Sequence, residues 1–243
     1  MLGASQRKAL VAGWSTVIAQ GVLDASDDPL RPGDLVRLPL CVRHGSGPDL
    51  DVPGTVMGYA IGKDGSPSVV VDAPAWNGRR LDVWRTWIVN GDFCHRMDEA
   101  ELPDLAADLR AIGNNGGSDR LLATDAATRE LISRSWLQVM LGGVRTKAGI
   151  AIQPGDLVRL PRNVARNRGS QLHAAGLCLG YAVGLDGSPC VVADAVGEDV
   201  PTLTRWRTWV VRGTDLIVID TKEAWRLESL YSRDGRPKPR KQR

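Results

Sequence analysis

The chain has 243 residues, of which 43% are hydrophobic and 24% are charged, and its formal net charge at pH 7 is +3. This composition is typical of a globular protein and excludes a disordered or fibrous chain. No apolar run approaches the roughly twenty residues of a membrane span, and the N-terminal segment lacks a signal-peptide core, so we expect a cytoplasmic protein without a membrane partner.

Two copies of one unit make up the sequence, offset by 122 residues without a gap. The octapeptide Pro-Gly-Asp-Leu-Val-Arg-Leu-Pro at 32–39 returns unchanged at 154–161. Other segments that recur at the same offset are Trp14, Gly58-Tyr59, Asp64-Gly65-Ser66-Pro67 and Trp84-Arg85-Thr86-Trp87. An internal duplication of this size predicts two domains. The expected boundaries are 1–112 for the first unit, 113–122 for a linker, 123–231 for the second unit and 232–243 for a disordered basic tail.

Each unit begins with a helical pattern. Apolar residues recur at three- and four-residue steps from position 10 to 22 and from 132 to 144, which predicts one apolar face per helix. We expect Trp14 and Trp136 to anchor this face on the barrel that follows. Asp125 and Thr128 are candidate N-cap residues of the second helix.

The periodicity changes to two after each Pro-Gly-Asp segment, which predicts short strands. In the first unit these are 35–38, 55–61, 68–72 and 81–89, and in the second unit they are 157–160, 177–183, 190–194 and 203–211. A long loop is expected at 41–53, because it is rich in glycine, proline and charge, and hairpin turns are expected at Asp64-Gly65 and Asp186-Gly187. Helices at 98–112 and 221–231 close the units.

The order Gly-Asp-x-Val, then Gly-x-Val-x-Gly-Tyr, then a glycine turn and a valine-rich strand resembles the barrels of KOW-type modules and of plasmid-borne trimethoprim-resistant dihydrofolate reductases. The resemblance covers roughly sixty residues of each copy. It implies an SH3-like barrel, and for the reductases a shared pore that binds cofactor and substrate. The reductase segment Val-Gln-Ile-Tyr falls near 83–87, where its Gln and Tyr are not matched. The predicted fold is therefore α+β, mainly β: a helix, an SH3-like barrel and a helix, repeated twice and arranged as a pseudo-dimer.

Cysteine and histidine do not recur between the copies. Their counterparts at the 122-residue offset are Asn163, Leu216, Val56 and Ser68 for the four cysteines and Arg166, Ile217 and Asp51 for the three histidines. A duplicated disulfide or zinc site would appear twice. We expect buried free thiols, no metal site, no cofactor and no catalytic residues.

The polar pairs that do recur are Asp34/Asp156, Arg37/Arg159, Asp64/Asp186, Asp72/Asp194, Arg85/Arg207 and Thr86/Thr208. Turn or strand-edge roles account for the first and third of these pairs. For Asp72 and Asp194, an ion pair with Arg37 or Arg85 and a catalytic role remain alternatives.

The Trp-Arg-Thr-Trp segment is the most distinctive motif. Strand alternation places Arg85 and Trp87 on one face and Trp84 and Thr86 on the other. An exposed Arg/Trp face would suit a base, a phosphate or a peptide, whereas in the alternative interpretation both tryptophans fill the core and the arginine pairs with an aspartate.

We predict a non-enzymatic nucleic-acid-binding protein, of a kind that suits accessory proteins of phages, plasmids and other mobile elements, with affinity mainly from phosphate contacts. Its candidate contacts are Arg85, Trp87, Arg207, Trp209, Arg162, Arg166, Arg168, Arg236, Lys238, Arg240 and Lys241. The first alternative is a protein-binding adaptor or a structural subunit of a larger assembly, which the modest net charge favours. The second is a reductase-like barrel enzyme.

Overall fold

The structure of the chain is a computed structural model. The structure describes residues 4–39, 51–62, 64–76, 81–111, 125–162, 172–196 and 206–229. In this part the fold is mixed α/β and mostly strands, with a curled antiparallel sheet. The predicted linker at 113–122 and the predicted tail at 232–243 lie outside the described residues.

The first half of the chain contains two helices, α1 (Ala4–Gln20) and α2 (Leu102–Ala111). Its strands are β1 (Val22–Leu23), β2 (Pro29–Leu30), β3 (Leu35–Pro39), β4 (Asp51–Ile61), β5 (Pro67–Trp76), β6 (Leu81–Asn90) and β7 (His95–Arg96). Short 3₁₀ turns at Gly91–Phe93 and Glu99–Glu101 precede β7 and α2.

The second half contains α3 (Ala126–Gly142) and α4 (Thr221–Ser229). Its strands are β8 (Val144–Arg145), β9 (Ala151–Ile152), β10 (Leu157–Arg162), β11 (Leu172–Val183), β12 (Pro189–Val196), β13 (Trp206–Arg212) and β14 (Ile217–Val218). A 3₁₀ turn at Gly213–Asp215 lies between β13 and β14. Within the described residues the predicted helices and main strands of both halves are confirmed, while positions 112, 203–205 and 230–231 of these predictions lie outside them. The pairs β1–β2 and β8–β9 are additional short hairpins.

The large sheet runs through both halves of the chain. Six of its strands follow one another in the order β6-β5-β4-β11-β12-β13. Strand β3 pairs with β4 and β7, and β10 pairs with β11 and β14. The strands at the two ends of the six-strand series, β6 and β13, come within 8 Å of each other between Cα atoms, so the sheet curls until its two outer strands are neighbours.

Strand β4 changes partner along one of its edges. Its first residues pair with β3, Leu35 lying opposite Thr55, and three residues further on Gly58 lies opposite Ala182 of β11. The other edge pairs with β5 and carries a bulge between Val56 and Gly58. A bulge bends and twists a strand, which allows β4 to belong to the sheets of both halves.

The start of β4 corrects the predicted loop at 41–53. Residues 51–53 belong to the strand, and the loop prediction for 41–50 falls outside the described residues. At Gly54, which follows the predicted loop, an added Cβ would lie 2.5 Å from Cγ1 of Val71 and 2.9 Å from Cδ2 of Leu38. Close packing of side chains therefore requires a glycine at this position of β4.

One hydrophobic cluster extends over both halves, and the tryptophans of the long helices contribute to it. The aromatic contacts cross between the halves: Trp14 meets the ring of Tyr181 edge-on at 5.1 Å, and Trp136 meets Tyr59 at 5.2 Å. The helices were expected to anchor their tryptophans on the barrel that follows. Instead, each of these ring contacts is made with the tyrosine of the other half.

Local polar contacts support the predicted turns and caps. The Asp125 carboxylate accepts a hydrogen bond from the backbone N–H of Thr128 and caps α3. Asp64 accepts hydrogen bonds from the N–H and the hydroxyl of Ser66 at 3.0 and 2.6 Å, and Asp186 does the same with Ser188. No helix in the described ranges is both long and apolar enough to cross a membrane.

Candidate functional site

The two Trp-Arg-Thr-Trp segments lie on the neighbouring outer strands β6 and β13. In β6, Arg85 lies opposite Ala73 and Trp87 opposite Val71 of β5. In β13, Arg207 and Trp209 lie opposite Ala195 and Ala193 of β12. Because β6 and β13 approach each other, the fold makes neighbours of the two strands that carry these motifs, which are far apart in sequence.

The second tryptophan of each motif is only partly buried. Trp87 and Trp209 both pack against the main hydrophobic cluster and keep part of their surface accessible. This arrangement lies between the two interpretations of the motif, because each ring contributes to the core and still has surface available to a ligand. The side chains of Trp84, Arg85, Trp206 and Arg207 fall outside the described part of the structure.

A carboxylate lies beside the threonine of each motif, on the face of the sheet that does not carry the Arg and the second Trp. Asp72 is opposite Thr86 in the register of β5 and β6, and Asp194 is opposite Thr208 in that of β12 and β13. Burial raises the pKa of Asp72 from 3.8 to about 6, since desolvation disfavours the charged form. Asp194 is buried as well, with 9% of its surface exposed. The acidic and the Arg/Trp positions thus occupy different faces.

The repeated arginines of β3 and β10 pair with a glutamate of the 3₁₀ turn before α2 and with a glutamate of α4. The Arg37 guanidinium donates to the Glu101 carboxylate at 2.9 Å, and Arg159 donates to Glu223 at the same distance. An ion pair of Asp72 with Arg37 is one of the alternatives for this carboxylate, but in the described structure Arg37 pairs with Glu101 and, at 3.9 Å, with Asp51. These arginines therefore have a structural role.

Asp34 and Asp156 also stabilise local structure. The Asp34 carboxylate accepts a 2.8 Å hydrogen bond from the N–H of Arg31, and Asp156 accepts an equivalent bond from Gln153. Both bonds close the turn that precedes a strand, as the sequence predicts.

The charge of the chain is concentrated at its C-terminus. The segment 232–243 contains six basic residues and one acidic residue, a net charge of +5, so that the remaining 231 residues carry −2 of the total of +3. The described part of the structure excludes Arg166, Arg168, Arg236, Lys238, Arg240 and Lys241, and it describes only the backbone of Arg162, at the end of β10.

The described residues bring together no three histidine, cysteine, aspartate or glutamate side chains that could hold a metal ion. Cys94, Cys178 and Cys190 are buried, and none of the three forms a disulfide. Burial raises the pKa of the Cys178 and Cys190 thiols, which disfavours the thiolate that nucleophilic chemistry requires.

Tyr59 and Tyr181, which lie opposite each other where β4 pairs with β11, were not among the predicted site residues. The hydroxyl of Tyr59 donates to the carbonyl oxygen of Leu30 at 2.7 Å, and that of Tyr181 donates to Ile152 at 2.7 Å. Burial raises the pKa of Tyr59 to about 12. The signal that could have identified these residues is the Gly-Tyr doublet, which recurs at the 122-residue offset.

No protein-family model matches the chain, and no significant similarity was found to a curated protein or to a solved structure.

Proposed function

We propose that the chain is a non-enzymatic nucleic-acid-binding protein, built from two SH3-like units that are arranged as a pseudo-dimer. The observation that carries this proposal is the adjacency of β6 and β13, the two strands with the Trp-Arg-Thr-Trp segment. Two copies of an aromatic and cationic motif on neighbouring strands offer a longer contact to an extended polymer than one copy does.

The chemistry of the motif suits a single strand of nucleic acid. Aromatic rings stack on bases with little sequence preference, and a base stacked in this way is worth about 1–3 kcal/mol. The accessible parts of Trp87 and Trp209 are available for such stacking. Arg85 and Arg207 would supply the cations for phosphate groups.

The charge distribution assigns a role to the tail as well. Since residues 1–231 carry a net charge of −2, long-range attraction of a polyanion would depend on the basic segment 232–243, together with the loop arginines Arg162, Arg166 and Arg168. We propose that the tail supplies electrostatic attraction and that the paired motifs supply the aromatic contacts.

The test is the binding of a fluorescent single-stranded oligonucleotide, measured by anisotropy over a series of salt concentrations. We expect affinity to fall steeply with salt, by about 0.7 in log K per log salt for each phosphate contact. The variant Arg85→Gln/Arg207→Gln should bind at least about tenfold more weakly, with a smaller slope. A chain that ends at residue 231 should also lose affinity.

The matched control is Lys147→Gln/Lys222→Gln, which removes the same charge from two exposed positions, in the β8–β9 turn and in the first turn of α4. It should leave both affinity and slope nearly unchanged. An affinity that does not change with salt concentration, or that falls equally in both double variants, would contradict the proposal.

A second candidate is a protein-binding adaptor, because β6 and β13 each have one strand partner among the described residues. Such an outer strand can accept an extended segment of another protein. This function predicts no retention of oligonucleotides at any salt concentration and a protein partner that copurifies from the native host after nuclease treatment.

A further inference from the structure

We infer that the junction between the two halves is a self-complementary binding surface whose partner is a second copy of this chain, so that folded chains can exchange halves. The inference rests on the two-unit arrangement proposed above and not on any ligand. It is carried by three sets of contacts at the junction, each of which is made in both directions.

The strand pairing at the junction is symmetric. Tyr59 of β4 lies opposite Tyr181 of β11, and these residues are counterparts at the 122-residue offset. On one side of this pair Gly58 faces Ala182, and on the other side Ala60 faces Gly180. A two-fold axis through the tyrosine pair exchanges these two pairs, which is the arrangement of an isologous interface between identical subunits.

The two glycines at the junction lack a side chain for the same reason. A Cβ at Gly58 would lie 2.1 Å from the carbonyl oxygen of Tyr181, and a Cβ at Gly180 would lie 2.2 Å from that of Tyr59. Backbone atoms of a paired strand cannot move away without loss of the pairing. Each half therefore carries a glycine that only the other half requires.

The long helices α1 and α3 also make equivalent contacts, each with the opposite half. Trp14 contacts Tyr181 and Trp136 contacts Tyr59. The space beside Gly33, which has a φ of +100°, is closed by Arg129 and Ser133 of α3, and the space beside Gly155 is closed by Val11 of α1. Hence each long helix packs against the turn that opens β3 or β10 of the opposite half.

These contacts depend on local chemistry and not on the covalent connection between α2 and α3. A half can make the same contacts with its partner in the same chain or with the corresponding half of another chain. Exchange of equivalent elements between protomers is a low-cost route to a dimer, and here the exchanged element is an entire half of the chain.

The experiment uses the full chain with a protease site inserted between Gly116 and Gly117, cleaved after folding. We expect the two fragments to elute together in size-exclusion chromatography with light scattering, at the 26.2 kDa of the intact chain apart from the inserted site. When cleaved ¹⁵N-labelled and unlabelled proteins are mixed, native mass spectrometry should detect particles that contain one heavy and one light fragment. Separate elution of folded fragments, or a complete absence of mixed particles after days of incubation, would overturn the inference.

Two variants identify the surface. Gly58→Ala should weaken the association of the cleaved halves at least tenfold, whereas Gly142→Ala, at a glycine with open space around it, should leave it unchanged. If the uncleaved Gly58→Ala chain does not fold, Trp14→Phe provides a milder test with the same expected direction. Fragments of the folded variant that associate as tightly as those of the parent chain would show that the halves are joined elsewhere.

Discussion

The two halves of the chain agree at their junction and differ on their outer surfaces. At the junction, the Tyr59 and Tyr181 hydroxyls donate bonds of equal length, and the Trp14 and Trp136 ring contacts differ by only 0.1 Å. The ring contacts are made between the halves, whereas each tyrosine hydroxyl bonds to a carbonyl of its own half. The repetition of Trp and Gly therefore reflects a requirement of the pair, and the repeated Tyr serves both its own half and the pair.

The outer faces of the long helices show the opposite behaviour. In α3, Leu137 and Leu141 are 63% and 91% exposed, whereas the corresponding positions of α1 are Ser15 and Ala19. Solvent-facing positions have few neighbours to satisfy, so they can change in one copy without a matching change in the other. A residue that is identical in both copies thus indicates a packing requirement. A residue that differs indicates a position where each half tolerates substitution independently.

The largest expected effect tests whether Trp14 and Trp136 contribute equally to the stability of the protein. Trp136 is 7% exposed, whereas Trp14 is only partly buried. We expect Trp136→Ala to lower the free energy of unfolding by about 3–5 kcal/mol, and Trp14→Ala to lower it by at least about 1 kcal/mol less, because a partly exposed ring loses less on truncation. Urea denaturation followed by circular dichroism measures both values.

The control for this pair is Trp225→Ala, since the side chain of Trp225 in α4 is 61% exposed. Its effect should stay within about 0.5 kcal/mol. Equal losses of stability for Trp14→Ala and Trp136→Ala would contradict the expectation that the more deeply buried ring contributes more. The two ring contacts would then be equal in energy as well as in distance.

The next effect concerns the carboxylates that both copies share. The folded-state pKa of Asp72 is raised to about 6 by burial, above its value in the unfolded chain, so the protonated form is favoured in the folded state. The stability from this group is complete below pH 4 and is lost as the pH rises through 6. At pH 8 we expect Asp72→Asn to unfold at higher urea, with a gain on the order of 2 kcal/mol, and at pH 4 to match the parent chain.

Asp64 provides the contrast. Its pKa is lowered, first by the hydrogen bond from the hydroxyl of Ser66 and then by that from its N–H. Asp64→Asn should therefore never stabilise the protein at pH 8. A gain from Asp64→Asn, or a gain from Asp72→Asn that is equal at pH 4 and pH 8, would contradict the assigned environments of these two carboxylates.

Much of the fold was accessible from the sequence because local patterns encode it. The helices, the Asp-Gly hairpins and the Asp125 cap follow from spacing and from short-range hydrogen bonds. The start of β4 did not follow, since the loop prediction for 41–53 rests on composition, whereas residues 51–53 belong to the strand because they pair with β3. A contact between residues far apart in sequence leaves no local signature.

The candidate site was predictable only in part for the same reason. The repeated Trp-Arg-Thr-Trp segment indicated which strands matter, but the adjacency of β6 and β13 depends on how far the whole sheet curls. The junction residues were visible as the repeated Gly58-Tyr59 and Gly180-Tyr181 doublets. The sequence does not predict that the two doublets contact each other, because a constant offset between the copies carries no information on how the copies are placed in space.

The smallest expected effect compares the equivalent tyrosine hydrogen bond that each half makes next to the junction. Tyr59→Phe and Tyr181→Phe each remove one buried hydroxyl and leave the carbonyl oxygen of Leu30 or Ile152 without its 2.7 Å donor. Each change should lower the free energy of unfolding by about 1–2 kcal/mol, with the dependence on urea unchanged. The two losses should agree within the error of the urea measurement, because the two bonds have the same length and the same kind of acceptor.

The double variant Tyr59→Phe/Tyr181→Phe tests whether the two positions are coupled. Tyr59 and Tyr181 face each other in the register of β4 and β11, so the loss of stability in the double variant should differ from the sum of the two single losses by about 0.5 kcal/mol or more. Unequal single losses would show that the two equivalent bonds, each within its own half, contribute differently to stability, and strict additivity would show that the pairing of β4 with β11 does not couple them.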